Sequence, residues 1–136
     1  MQPLAISIRA IRRKLVAENE RDVHDALMQA ENEADTSRCM ALVDFQAANG
    51  NMISLIVGGH EDTALSFRYA GDVDPRFLSV GDVAAKGTVP CSRDFNNQID
   101  CPRSALISRI AGLAALDEFA VTNDLPACIV WKPFAG

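Results

Sequence analysis

The sequence predicts an α+β fold: one mostly antiparallel sheet, a meander of about five to six strands, with a long C-terminal helix and a shorter N-terminal helix packed on it. Three observations predict it. Apolar runs separated by turn residues fill positions 39–69. An apolar stripe at helical spacing runs from Leu106 to Ala120. The strands come first and the longer helix late, unlike an alternating β-α pattern.

Each element has its own signature. Leu4, Ile6 and Ile8 alternate with Ala5, Ser7 and Arg9, the pattern of a half-buried strand at an edge. Arg12-Arg13-Lys14 reads as a solvated basic loop. From about Glu20 to Ala34, Val23, Ala26, Leu27 and Ala30 share one side of an otherwise charged helix. Cys39 to Ala47 and Met52 to Val57 are near-continuous apolar runs, which places them centrally with both faces covered. Between them, Asn49-Gly50 supplies the positive φ of a tight turn. A second turn at 58–62 leads to Leu65, Phe67 and Tyr69, which alternate with Ala64, Ser66 and Arg68.

After the acidic turn at 71–75, Phe77 to Asp82 reads as a short strand, 83–93 as irregular, and Asp94 to Ile99 as another short strand. Pro102 suits the first turn of a helix, and Leu106, Ile110, Leu113 and Ala120 form its stripe. Gly112 lies near its middle, where glycine costs about 1 kcal/mol relative to alanine, and it allows close packing on the sheet. Asn123-Asp124 ends the helix, and Pro126 to Trp131 reads as the final strand.

The chain of 136 residues fits a single domain spanning 1–136. Such a domain buries roughly two-thirds of its unfolded surface and needs no disulfide or metal staple. The net charge of −5 disfavours nonspecific nucleic-acid binding and favours basic partners. Cys39, Cys91, Cys101 and Cys128 form no CxxC pair, and their spacing from His24 and His60 is not that of a zinc site. The basic residues at 12–14 follow the first apolar stretch, the wrong order for a secretory signal, and no apolar run is long enough for a membrane span. Cytoplasmic residence with reduced thiols is the expectation.

Chemistry is sparse. The sequence lacks the phosphate-loop, dinucleotide, nucleophile-elbow and HExxH patterns. No catalytic residue, cofactor or metal ligand is expected. His60 in a glycine turn can pair with Cys91 or Cys101 as base and nucleophile, but no local motif supports such a site. His24 falls on the exposed side of the first helix and receives no role. The carboxylates of Glu61, Asp62, Asp72, Asp74 and Asp82 all lie in turns, where bonding to turn backbone is the simplest role for any one of them.

Several landmarks come in a recognisable order. Ser54-Leu55-Ile56-Val57-Gly58-Gly59 leads to Leu65-Ser66-Phe67-Arg68-Tyr69. Gly71-Asp72 and Ser79-Val80-Gly81-Asp82 follow. Then come Pro102, the Ala115-Leu116-Asp117-Glu118-Phe119 helix, and Leu125-Pro126 before Ile129-Val130-Trp131. This set, over roughly residues 38–132, resembles the immunity-protein family encoded beside deaminase-type toxins in bacterial polymorphic toxin systems. The 84–94 segment is less regular than in relatives, and the first 37 residues have no counterpart.

The resemblance implies a small inhibitor, not an enzyme, that binds a cognate toxin domain and occludes it. A basic partner suits the acidic chain, because charge complementarity raises association rate and specificity. The candidate contacts are His60, Glu61, Asp62, Asp72, Asp74, Arg76 and Asp82. Two other expectations compete with this one. A small Cys/His enzyme would show a reactive thiol, and a ligand-binding or interaction module would show an apolar pocket between helix and sheet.

Overall fold

The computed structural model describes residues 1–71, 73–94 and 97–134. Among these, ten strands join in one sheet and two α-helices lie on it. The strands are β1 (Leu4–Ile8), β2 (Arg13–Ala17), β3 (Met40–Gln46), β4 (Met52–Gly59), β5 (Asp62–Tyr69), β6 (Val73–Ser79), β7 (Thr88–Asp94), β8 (Asn97–Pro102), β9 (Ile107–Ser108) and β10 (Trp131–Phe134). The helices are α1 (Glu20–Ser37) and α2 (Arg109–Thr122).

The expected five-to-six-strand meander with a long C-terminal helix is therefore corrected. The main path runs β10-β6-β5-β4-β3-β1-β2, and each neighbouring pair is antiparallel. β7 adds a short parallel pairing to β3 at Met40 and Ala41, where β1 does not reach, and β8 pairs with β7. β9 occupies the matching gap on β5, opposite Asp62 and Thr63. The longer helix is α1, with 18 residues, and α2 has 14.

Each difference has a local cause. β2 buries only Ala17 fully, so it carries no alternation to read, and the basic run at 12–14 belongs partly to this edge strand. β1 is consequently internal, between β2 and β3. Pro102 closes β8 and leads only into a single 3-10 turn, Arg103–Ala105, not into the α-helix. The true N-cap of α2 is Ser108, whose hydroxyl accepts from the Ala111 N–H at 3.1 Å and satisfies a donor that the helix leaves unpaired. Residues 123–130 are a loop, and only Trp131 to Phe134 pair with β6.

Both faces of the central strands are covered. Val43, Phe45, Ile53, Leu55, Val57, Leu65 and Phe67 face the helices, packed with Val23, Ala26, Leu27, Ala30, Leu116 and Phe119. Ile56 and Ala64 face the other way and meet Cys91, Cys101 and Ala105 from the β7–β8 hairpin and the turn after it. This double burial explains the unbroken apolar run of β4, where Ile53 to Val57 are all buried. Each large aliphatic side chain so placed contributes about 1.5–3 kcal/mol. Phe67 anchors an aromatic cluster, with ring centroids 6.2 Å from Phe119 and 6.4 Å from Trp131.

Two glycines fix close approaches. A Cβ on Gly112 would overlap Thr63 Cγ2 of β5, so the helix seats directly on the sheet there. A Cβ on Gly81 would overlap the Leu106 carbonyl oxygen. Its neighbour Ser79 is fully buried; its hydroxyl accepts from the Leu65 N–H at 3.0 Å and donates to the Ala105 carbonyl at 2.7 Å. The Ser-Val-Gly-Asp segment thus stitches β6 to β5 and to the turn before α2.

Candidate functional site

The surface with the most distinctive chemistry is the helix layer. α1 begins at Asn19, whose side chain accepts from the Asp22 N–H at 2.9 Å, and Glu20 and Asp22 sit in its first turn, where the helix dipole favours negative charge. Val23, Ala26, Leu27, Ala30 and Ala34 point to the sheet, which forces the charged positions between them outward. Segments 18–37 and 109–124, together with the turn at 60–62, hold twelve of the eighteen acidic residues but only two of the thirteen basic ones. That is a net charge of −10 on this layer, against +5 on the remaining chain.

Two cross-helix contacts set α1 and α2 side by side and antiparallel. Arg109 donates from Nε and Nη2 to Glu31 Oε2 and Oε1, at 3.1 and 2.8 Å. Donating to the Glu31 carboxylate holds the guanidinium pKa above its ordinary value. At the other end, His24 Nε2 lies 3.5 Å from Asp117 Oδ1 and 3.8 Å from Glu20 Oε1. Ile110, Ala114, Asp117 and Val121 recur at helical spacing on the outer side of α2. Ile110 is 82% exposed and Val121 78%, and Met28 of α1 is 59% exposed. Apolar groups are therefore set within a strongly acidic surface.

The sequence-derived contact residues fall in different places. His60, Glu61 and Asp62 are exposed at the β4–β5 turn, on the border of the acidic layer. His60 takes a left-handed conformation (φ 63°), and its Nε2 lies 3.5 Å from Asp35 Oδ1 of α1. The Glu61 carbonyl accepts from the Arg109 N–H at 2.7 Å, which ties the turn to the start of α2. Arg76 sits in β6, opposite Phe134 of β10, away from this turn. Asp82 follows β6; its Oδ1 accepts from the Ala84 N–H at 3.0 Å, a turn-stabilising role. Asp72 and the side chain of Asp74 lie outside the described residues. The structure thus brings three of the seven together and joins them to acids of α1 that the sequence reading passed over.

Cys91 and Cys101 are placed for packing. Cys91 is 0% exposed, and burial, reinforced by Cys39 and Cys101 nearby, pushes its pKa up to about 12. Burial also raises Cys101, and burial followed by Glu118 raises Cys128. A raised pKa leaves little thiolate at neutral pH, the opposite of an activated nucleophile. A groove of about 420 Å³ at the end of α1 is lined by Asp35, Arg38, Cys39, His60 and Pro90, so Cys39 is the cysteine that shares a groove with His60. Between the helices and the sheet, the cavity lined by Leu27, Leu55, Val57 and Leu113 is about 10 Å³, room for no more than one water.

Asp44 is a buried polar group that the sequence reading missed. It is 5% exposed, paired to Arg9 Nη1 at 2.9 Å, and accepts from the Ser54 hydroxyl at 2.6 Å. Its contacts join β3 to β4 and to the turn that follows β1. Among the described residues, no helix is long and apolar enough to cross a membrane. No protein-family model matches the chain, and no curated protein matches it.

Proposed function

We propose that this chain is a cytoplasmic immunity protein that binds a cognate bacterial toxin domain, deaminase- or nuclease-like, and blocks it by steric occlusion. The observation that carries this reading is the segregation of charge: −10 on the helix layer against +5 elsewhere. An acidic face of this kind draws in a basic protein from a distance and orients it before contact. Met28, Ile110 and Val121 supply apolar anchors inside the charged field, the arrangement from which a few residues provide most of the binding energy. An interface burying about 1,600 Å² would be ample. The closely packed sheet beneath gives a surface that need not reorganise on binding. In this reading the chain itself makes and breaks no bond and uses no cofactor.

The test is co-expression with the domain encoded by the adjoining gene. The two proteins should co-purify, and cells expressing the domain should survive only when this chain is present. Asp25→Lys and Asp35→Lys should each slow association several-fold at low salt, with less effect at high salt. Lys86→Glu and Arg103→Glu, on the remaining chain, should not slow it. Failure to bind and protect would remove the proposal. Equal sensitivity to all four substitutions would remove the acidic layer as its contact face.

A further inference from the structure

We propose that Glu20, His24 and Asp117 form a surface site for a divalent transition-metal cation of the zinc class. The residues come from two helices. Glu20 and His24 stand four apart on α1, hence on one face, and Asp117 reaches them from α2. One ligand atom from each can be chosen so that all lie within 4.8 Å of one another. The individual separations are informative. His24 Nε2 is 3.5 Å from Asp117 Oδ1 and 3.8 Å from Glu20 Oε1. Both exceed the usual 2.7–3.2 Å of a direct N–H···O bond. They approach the spacing of about 3.4 Å expected between two ligands held roughly 2.1 Å from a tetrahedral centre.

Imidazole nitrogen with two carboxylate oxygens is a donor set suited to zinc, and three protein ligands leave a fourth position open. Space exists for what would fill it. A groove of about 320 Å³ is lined by Glu18, Asn19, Glu20, Asp117 and Val121, so two of the three ligands form part of its wall. The surrounding layer is net negative and raises the local cation concentration. A bound ion would cross-link α1 to α2 at the end opposite the Arg109–Glu31 pair and turn the face locally less acidic. The site stands on its own geometry and does not depend on the toxin-binding reading.

The experiment is calorimetric titration of Zn²⁺ alone into the full chain, repeated with Co²⁺ followed by its visible absorption. One ion per chain should bind, with the intense visible bands of a four-coordinate centre and no sulfur-to-cobalt charge-transfer band. His24→Ala and Asp117→Asn should each raise the dissociation constant at least tenfold. Cys128→Ser, which removes the exposed thiol, should leave it unchanged. Both ligand positions are solvent-accessible, and melting without metal checks that the variants fold. No binding, binding indifferent to His24→Ala and Asp117→Asn, or a thiolate band abolished by Cys128→Ser would each overturn the site.

Discussion

Replacing Gly112 by alanine sets two effects of opposite sign against each other. In an isolated helix, Gly→Ala stabilises by about 1 kcal/mol, because alanine loses less backbone freedom on folding. Here the added methyl would overlap Thr63 Cγ2 and come within 3.3 Å of Leu65 Cδ1. Thr63 is 2% exposed, β-branched, and fixed by a 2.8 Å hydrogen bond from its hydroxyl to the Ile56 carbonyl, while Leu65 is fully buried. Neither can yield cheaply, so α2 must lift from β5. Overpacking of this kind costs typically about 1–3 kcal/mol, and at the upper part of that range it exceeds the gain from propensity. The net expectation is a loss of about 1–2 kcal/mol, or a fall in melting temperature of about 4–7 °C for a chain of this size. Thermal melting and urea denaturation of both forms measure it. The second half of the test is Thr63→Ser, which keeps the hydroxyl that bonds Ile56 and deletes the methyl in the way. Alone it should destabilise slightly, by about 0.8 kcal/mol for the lost methyl. In the Gly112→Ala background it should restore stability, a favourable coupling of about 1 kcal/mol. If Gly112→Ala raises the melting temperature, or the two changes merely add, the seating of α2 on β5 is wrong.

Other expectations are as direct. Ser79→Ala should cost about 2–4 kcal/mol by denaturant titration, because it strips partners from the Leu65 N–H and the Ala105 carbonyl inside a fully buried site. Trp131→Phe should cost about 1 kcal/mol or more, since it removes the indole N–H that donates to the Pro126 carbonyl at 2.7 Å. Stability should fall in alkali: the Cys91 thiol titrates near 9.0 when unfolded and at about 12 when folded, so the folded form holds its proton longer. Its contribution is complete below about pH 9 and is lost as pH rises toward 12, at about 1.4 kcal/mol per pH unit. Denaturant midpoints at pH 8, 9 and 10 measure the slope, and Cys91→Ala should make it shallower.

Periodicity alone located α1, the two-sided strands β3 and β4 and the turn between them, because each buries a defined set of side chains and the sequence has to repeat with that geometry. Val23, Ala26, Leu27 and Ala30 were readable as the buried side of a helix without any tertiary information. The same reasoning had no purchase on β2, which buries one residue fully, or on β9, a two-residue pairing. It misplaced the start of α2, since Pro102 is as acceptable at the end of a strand as in the first turn of a helix, and a Ser108 cap is one serine among several until the Ala111 N–H is seen pointing at it.

Composition determined the sign of the net charge, and the chain's order placed seven acids between Glu18 and Asp35. Acids in turns stand out singly along the chain, whereas those of a helix face do not. Only the tertiary structure gathers α1, α2 and the β4–β5 turn onto one side of the sheet, so that His60, Glu61 and Asp62 join an acidic layer while Arg76 and Asp82 do not. Asp117 meets Glu20 and His24 for the same reason: they lie 97 and 93 positions away along the chain and a few ångströms away across the two helices. Local patterns are set by which face of an element is buried, and they can be read along the chain. The meeting of distant side chains is set by how the buried faces stack, and no local pattern records it.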